Sequence, residues 1–198
     1  MKYLILIGIA LMIGIGAWAH AAQPKASGYL SDYHRLVEGE YLEAYWVDAA
    51  SIERSTRPLI GLGDIAVNTI KDHKGVTVSD CVGWLKKDLL ASPVIVDDAS
   101  APYILDLAIT HMDPGSRAKR LWAGEFGAGH AQLQIEGRVV DSKTGDIVAE
   151  FAERRRSSGA LGAKDLSQDA GPHIIEHLVQ LVSSDAANEL HASFLQRQ

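Results

Sequence analysis

The sequence predicts an α+β fold: two layers, a mostly antiparallel sheet with two amphipathic helices packed on one of its faces. Three observations carry this. Ala131, Leu133, Ile135 and Val139 alternate with Gln132, Gln134, Glu136 and Arg138, the period of a strand with one face on a core and one in water. Val78, Val82, Leu85 and Leu89 recur at helical spacing, and so do Ile175, Leu178, Val182, Ala186, Leu190 and Phe194. Strands with one polar face and helices with one apolar face hide their apolar sides most simply against each other.

Each element follows in order. Residues 22–40 are weakly periodic, and Pro24, Gly28 and Ser31 are loop signals, so this segment is expected to dock loosely through Tyr29, Leu30, Tyr33 and Leu36. Tyr41 to Asp48 reads as a first strand, Ser55 to Gly63 as loop or strand edge, and Asp64 to Asn68 as a short buried strand. Thr77 or Ser79 can cap the first helix, and Ser92-Pro93 stops it. Val94 to Val96 is a short strand. Tyr103, Leu105, Leu107 and Ile109 alternate in the next, which Asp113-Pro114-Gly115 ends.

Asp141 to Asp146 is a turn with a mechanism, because an aspartate bonds the backbone two residues on and Gly145 supplies a positive φ. Ile147, Ala149 and Phe151 then pair back, completing a three-stranded meander. A second helix is expected from about Pro172 to Phe194, with proline at its first position.

Met1-Lys2, the apolar run Tyr3 to Ala17 and Ala19-His20-Ala21 read as a cleavable signal peptide over residues 1–21, leaving a single domain over 22–198 in the periplasm. Loss of Lys2 moves the formal charge from −6 to −7, which disfavours nucleic acid as a partner. Cys81 is the sole cysteine, so no internal disulfide forms, and no lipid-attachment cysteine follows the cleavage site.

The block Tyr103 to Phe151 resembles uncharacterised bacterial envelope domains of the domain-of-unknown-function type, many of them lipoproteins. The resemblance rests on Asp113-Pro114-Gly115-Ser116-Arg117, Gly127-Ala128-Gly129, Asp141 and Thr144-Gly145, while Gly28 to Leu36 is similar to the start of a related envelope lipoprotein family. The element order is also similar to the small α/β module of TolB-type and CsgG-type envelope proteins. In TolB-type and CsgG-type proteins such modules contact partners instead of performing chemistry, and that resemblance implies the same role here.

The chemical motifs point the same way. His173-Ile-Ile-Glu176-His177 matches the H-x-x-E-H pattern of inverted zinc proteases, but a catalytic zinc needs a third protein ligand, and the expectation is two solvated histidines. A metal-dependent hydrolase using His173 and His177 is the alternative. Gly124 to Gly129 runs into a strand, whereas phosphate-cradling glycine loops run into a helix, so these glycines are expected to permit a bend. Ser157-Ser158 lacks a nucleophile-elbow context and reads as linker. Arg154-Arg155-Arg156 reads as a solvated strand edge, with an anion or lipid-headgroup contact as the alternative.

The remaining cluster is Arg117, Lys119, Arg120 and Trp122 with Phe126. It combines cations and large apolar groups in a loop, the composition of protein interfaces and membrane-surface contacts. The expected protein is therefore non-enzymatic, holds no cofactor and works by contacting an envelope protein or a membrane surface. A bland alternative is that the aromatic residues only cover the end of the sheet.

Overall fold

The computed structural model describes residues 20–21, 24–52, 59–67, 75–116, 129–157 and 170–195. It contains strands β1 (His20–Ala21), β2 (Ala44–Val47), β3 (Ile60–Val67), β4 (Ile95–Val96), β5 (Tyr103–Asp113), β6 (Gln132–Asp141) and β7 (Ile147–Arg156). Among the described residues, two α-helices, α1 (Val78–Leu90) and α2 (Ala170–Leu195), and a 3-10 turn over Tyr33–Arg35 complete an α+β fold. One mixed sheet runs β1-β7-β6-β5-β3-β4, and β2 also pairs with β7.

The meander β5-β6-β7 is antiparallel throughout. Asp141 builds its turn: Oδ1 accepts from the amides of Lys143 and Thr144, and Gly145, at φ +79°, returns its N–H to the Asp141 carbonyl at 2.8 Å. Phe151 lies against Gly137 across the ladder, where an added Cβ would come within 2.3 Å of the ring.

On the other side of β5 the pairing is parallel. The stretch expected as loop followed by a short strand is one strand, β3, in parallel register with β5 and, at Ile60 and Gly61, with β4. Two parallel neighbours require a crossover, and α1 supplies it between β3 and β4. Its start carries a reciprocal cap, with Asp80 N–H donating to Thr77 Oγ1 at 3.1 Å and Thr77 N–H to Asp80 Oδ2 at 2.8 Å. The second helix begins at Ala170, two residues before the expected proline.

One hydrophobic cluster joins the helices to the sheet: Cys81, Leu85 and Leu89 from α1, Ile175, Leu178, Val182 and Leu190 from α2, and Leu105, Leu107, Ile109, Leu133, Ile135 and Phe151 from the meander. Phe194 meets Tyr103 edge to face at 5.3 Å. Cys81 Sγ sits 3.1 Å from Met112 Sδ, and burial pushes its thiol up to about 12, which keeps it protonated. Among the described residues no helix is long and apolar enough to cross a membrane.

The other sheet face departs from expectation. Gln134 and Glu136, whose alternation suggests water, are 2% and 0% exposed, because the chain from Pro24 to Val37 lies across them. A bulge in β5 sharpens the effect. Ile109 pairs with Ile135 and His111 with Gln134, so Thr110 is the extra residue, and both Thr110 and His111 join the polar face while Met112 returns to the core.

Candidate functional site

The polar face of the sheet is made by every second residue of β6 and β7, and a row of buried acceptors there holds the N-terminal segment. Gln134 Oε1 accepts from Lys25 N–H at 3.0 Å, and its Nε2 donates to the Lys25 carbonyl at 2.6 Å, so one carboxamide reads both backbone groups of a single residue. Tyr33 stands next to it. Its hydroxyl oxygen accepts from the amides of Ser27 and Gly28 and donates to Glu136, whose other oxygen takes Thr110 Oγ1 at 2.9 Å and Gln134 Nε2 at 2.8 Å. Three donors thereby converge on the buried Glu136 carboxylate.

Farther along, Glu150 accepts Ser31 N–H at 2.9 Å and pairs with Arg35 at 2.7 Å, and the same guanidinium lies 3.5 Å from the centre of the Trp46 ring. Arg138 pairs with Asp106 at 3.5 Å and faces the ring of Tyr29. Burial is the main reason the Tyr29 phenol is pushed up to about 12; Arg138 opposes the rise, and Asp106, Glu136 and Asp64 add to it.

Two more glutamates hold the turn between the segment and β2. Glu153 Oε2 accepts Glu43 N–H at 2.7 Å, and Glu189 Oε2 of α2 accepts Tyr41 N–H at 2.7 Å and Leu42 N–H at 3.2 Å. Glu153 lies on the helix side, where Arg155 bridges it at 2.8 Å to Asp185 at 2.7 Å. Burial pushes Glu153 up to about 7 against the opposing pull of the Glu43 amide and Arg155. An open cleft of about 480 Å³ separates the segment from β2, with Tyr33 and Glu43 on its lining.

The arginine run is therefore not a solvated edge. Arg154 is 8% exposed and donates to Gln132 Oε1 at 2.6 Å on the polar face, and Arg155 forms the bridge just described on the helix side. Ser157 is no linker residue either. It extends the ladder, bonding Ala131 through N–H to carbonyl at 2.9 Å and through Oγ at 3.0 Å.

The residues expected to form an interaction surface, Arg117, Lys119, Arg120, Trp122 and Phe126, lie outside the described residues. Their flanks are fixed: Ser116 N–H bonds the Gly129 carbonyl at 2.9 Å, at the end of the sheet where Arg154 and Arg156 stand. His177 is exposed on α2; the side chain of His173 is outside the described set. Among the described residues no three His, Cys, Asp or Glu side chains converge as a metal site.

The carboxylate row has no signature in a single sequence. Glu136 and Glu150 occupy positions where strand alternation places solvent, and only the tertiary return of the N-terminal segment buries them.

No curated protein matches the chain. Among solved structures it is similar to the PelC dodecamer from Paraburkholderia phytofirmans (13% identity, TM-score 0.38, 63% of this chain and 87% of that one). It is also similar to a Xanthomonas campestris protein described by family model DUF330 (12% identity, TM-score 0.47, 71% and 88%). A third is a minor lipoprotein from Acinetobacter baumannii (13% identity, TM-score 0.30, 65% and 92%). All three likenesses are distant. Residues 82–163 match the family model named domain of unknown function (DUF4410), so from within α1 to beyond β7 the chain is similar to a family defined by sequence and not by an activity.

Proposed function

We propose that this is an exported protein of the bacterial cell envelope that works as a binding or assembly module and not as an enzyme. The observation that carries the reading is how the polar sheet face uses its carboxylates. Glu136 and Glu150, with Gln134, engage main-chain and side-chain donors of the segment laid over them, residues 25–35, whose last three residues, Tyr33–Arg35, form a 3-10 turn. A reactive carboxylate needs an oxygen turned toward substrate; these oxygens are turned toward chain, which is the chemistry of peptide recognition.

The charged n-region, apolar run and Ala19-His20-Ala21 support export, with the mature chain beginning at Ala22. The contact surface is the segment carrying Arg117, Lys119, Arg120, Trp122 and Phe126, and its partner is another envelope component.

Fractionation with chemical crosslinking in intact cells tests this. The expected result is a soluble periplasmic chain starting at Ala22 and a discrete adduct with one envelope protein. A mature chain that retains Met1, or a folded chain that forms no adduct at its native abundance, overturns it.

A further inference from the structure

We propose that Lys25, His111, Arg154 and Arg156 form a binding site for a phosphate-type oxyanion at one end of the polar sheet face. The register brings them together. His111 pairs with Gln134, Gln134 with Arg154, and Gln132 with Arg156, so β5, β6 and β7 place one imidazole and two guanidinium groups side by side on one face. Arg154 and Arg156 are two residues apart on one strand, a separation of about 7 Å. Lys25 is fixed above them by its two backbone bonds to Gln134.

What sets the cluster apart is lack of compensation. Elsewhere on the sheet the arginines have acids: Arg35 has Glu150, Arg138 has Asp106, and Arg155 has Glu153 and Asp185. Among the described residues, no ion pair includes Lys25, His111, Arg154 or Arg156. Asp113 is the acid whose charge acts on His111, and it is exposed, with one oxygen engaged by Gly115 N–H at 2.7 Å. Arg154 gives one hydrogen bond, to a neutral carboxamide, and Arg156 Nε is buried with no acceptor.

The crowding has electrostatic consequences. Burial and then Arg156 lower the proton affinity of Arg154, and burial, Arg154 and Lys25 hold His111 below its ordinary value. Four basic groups concentrated in a chain of net charge −6 are relieved by an anion with several oxygens in fixed geometry. Guanidinium forks match a phosphate oxyanion in that way, and a partly desolvated site strengthens the attraction. The same chemistry is offered by free phosphate and by a phospholipid headgroup. The site is independent of the protein partner proposed above.

The test uses the purified mature protein, residues 22–198, inorganic phosphate in calorimetric titration, and sedimentation with phosphatidylglycerol–phosphatidylcholine vesicles against phosphatidylcholine alone. Lys25→Gln with Arg156→Gln removes two cations at positions that are not fully buried; Arg154→Gln is the second variant, and circular dichroism establishes that each is folded. Loss of charge-assisted bonds is expected to weaken binding about tenfold or more. Phosphate binding that falls in the folded variants supports the site with a free anion as ligand. Binding only to the anionic vesicles, again lost in the variants, supports it with a headgroup as ligand. No binding to either probe, or binding unchanged in the folded Lys25→Gln/Arg156→Gln protein, overturns it.

Discussion

Arg35 closes on the buried carboxylate of Glu150 at 2.7 Å while its guanidinium lies 3.5 Å over the ring of Trp46. The pair joins a segment near the chain's start to the strand that ends the meander, across a sequence separation of 115. Glu150 is fully buried, so removing its cation leaves a charge held only by Ser31 N–H and its surroundings. Breaking a buried pair costs about 3–5 kcal/mol, and the 27% exposure of the Arg35 side chain reduces that. Arg35→Ala is expected to destabilise by about 1–3 kcal/mol in denaturant unfolding and to open residues 24–37 to protease; a loss below about 0.5 kcal/mol would show that the pair holds nothing.

Glu136 supplies a contrast with its neighbour. Ile135 is buried in the hydrophobic cluster, and Ile135→Ala should cost about 2–4 kcal/mol through the cavity it leaves. A solvent-facing Glu136 would change stability by less than about 0.5 kcal/mol on substitution. With Tyr33, Thr110 and Gln134 all donating to it, Glu136→Ala instead strands three donors, Gln134 buried and the other two half-buried, and should cost about 2 kcal/mol. Equal stability of wild type and Glu136→Ala in urea would return this face to water.

The difference between these two residues marks what was legible in the sequence. The meander, its turn at Asp141, the helix capped by Thr77 and the closing helix all follow from local signals: period, cap and turn chemistry act within a few residues. The parallel strand Ile60–Val67 reads locally as loop or strand edge followed by a short strand, since Gly61 and Gly63 interrupt its pattern; its pairing with Tyr103–Ile109 is a long-range fact. The covered polar face is equally non-local. Glu136 in β6 looks the same in sequence whether water or Tyr33 meets it, so the acceptor row and the cation cluster emerged only from the fold.

Glu153 gives stability a pH dependence. Its carboxyl is raised to about 7 in the folded protein, chiefly by burial, from an ordinary value near 4.5. Between those values the folded state binds the proton and the unfolded state does not. Stability is therefore full below about pH 4.5 as far as this group is concerned, and it declines as pH rises toward about 7. Glu153→Gln keeps an oxygen for the Glu43 amide and lacks the titration. It should flatten the decline and be more stable than wild type by on the order of 1–3 kcal/mol at pH 8. Parallel stability–pH curves for the two proteins from pH 5 to about 8 would rule out this assignment.

The last prediction concerns Trp122 and Arg120, in the segment whose two ends are joined through Ser116 and Gly129. Three cations in Arg117 to Arg120 stand against a net charge of −6, a local exception that steers an acidic partner, while an indole supplies a large rigid contact. An indole serving only the core would cost about 3–5 kcal/mol on truncation, as buried aromatics do. Trp122→Ala with Arg120→Ala is expected instead to leave the folding transition nearly unchanged and to abolish the crosslink to the envelope partner. The two measurements separate the readings: a large fall in melting temperature assigns Trp122 to the core, and an undisturbed crosslink in folded double mutant moves the contact surface elsewhere on the molecule.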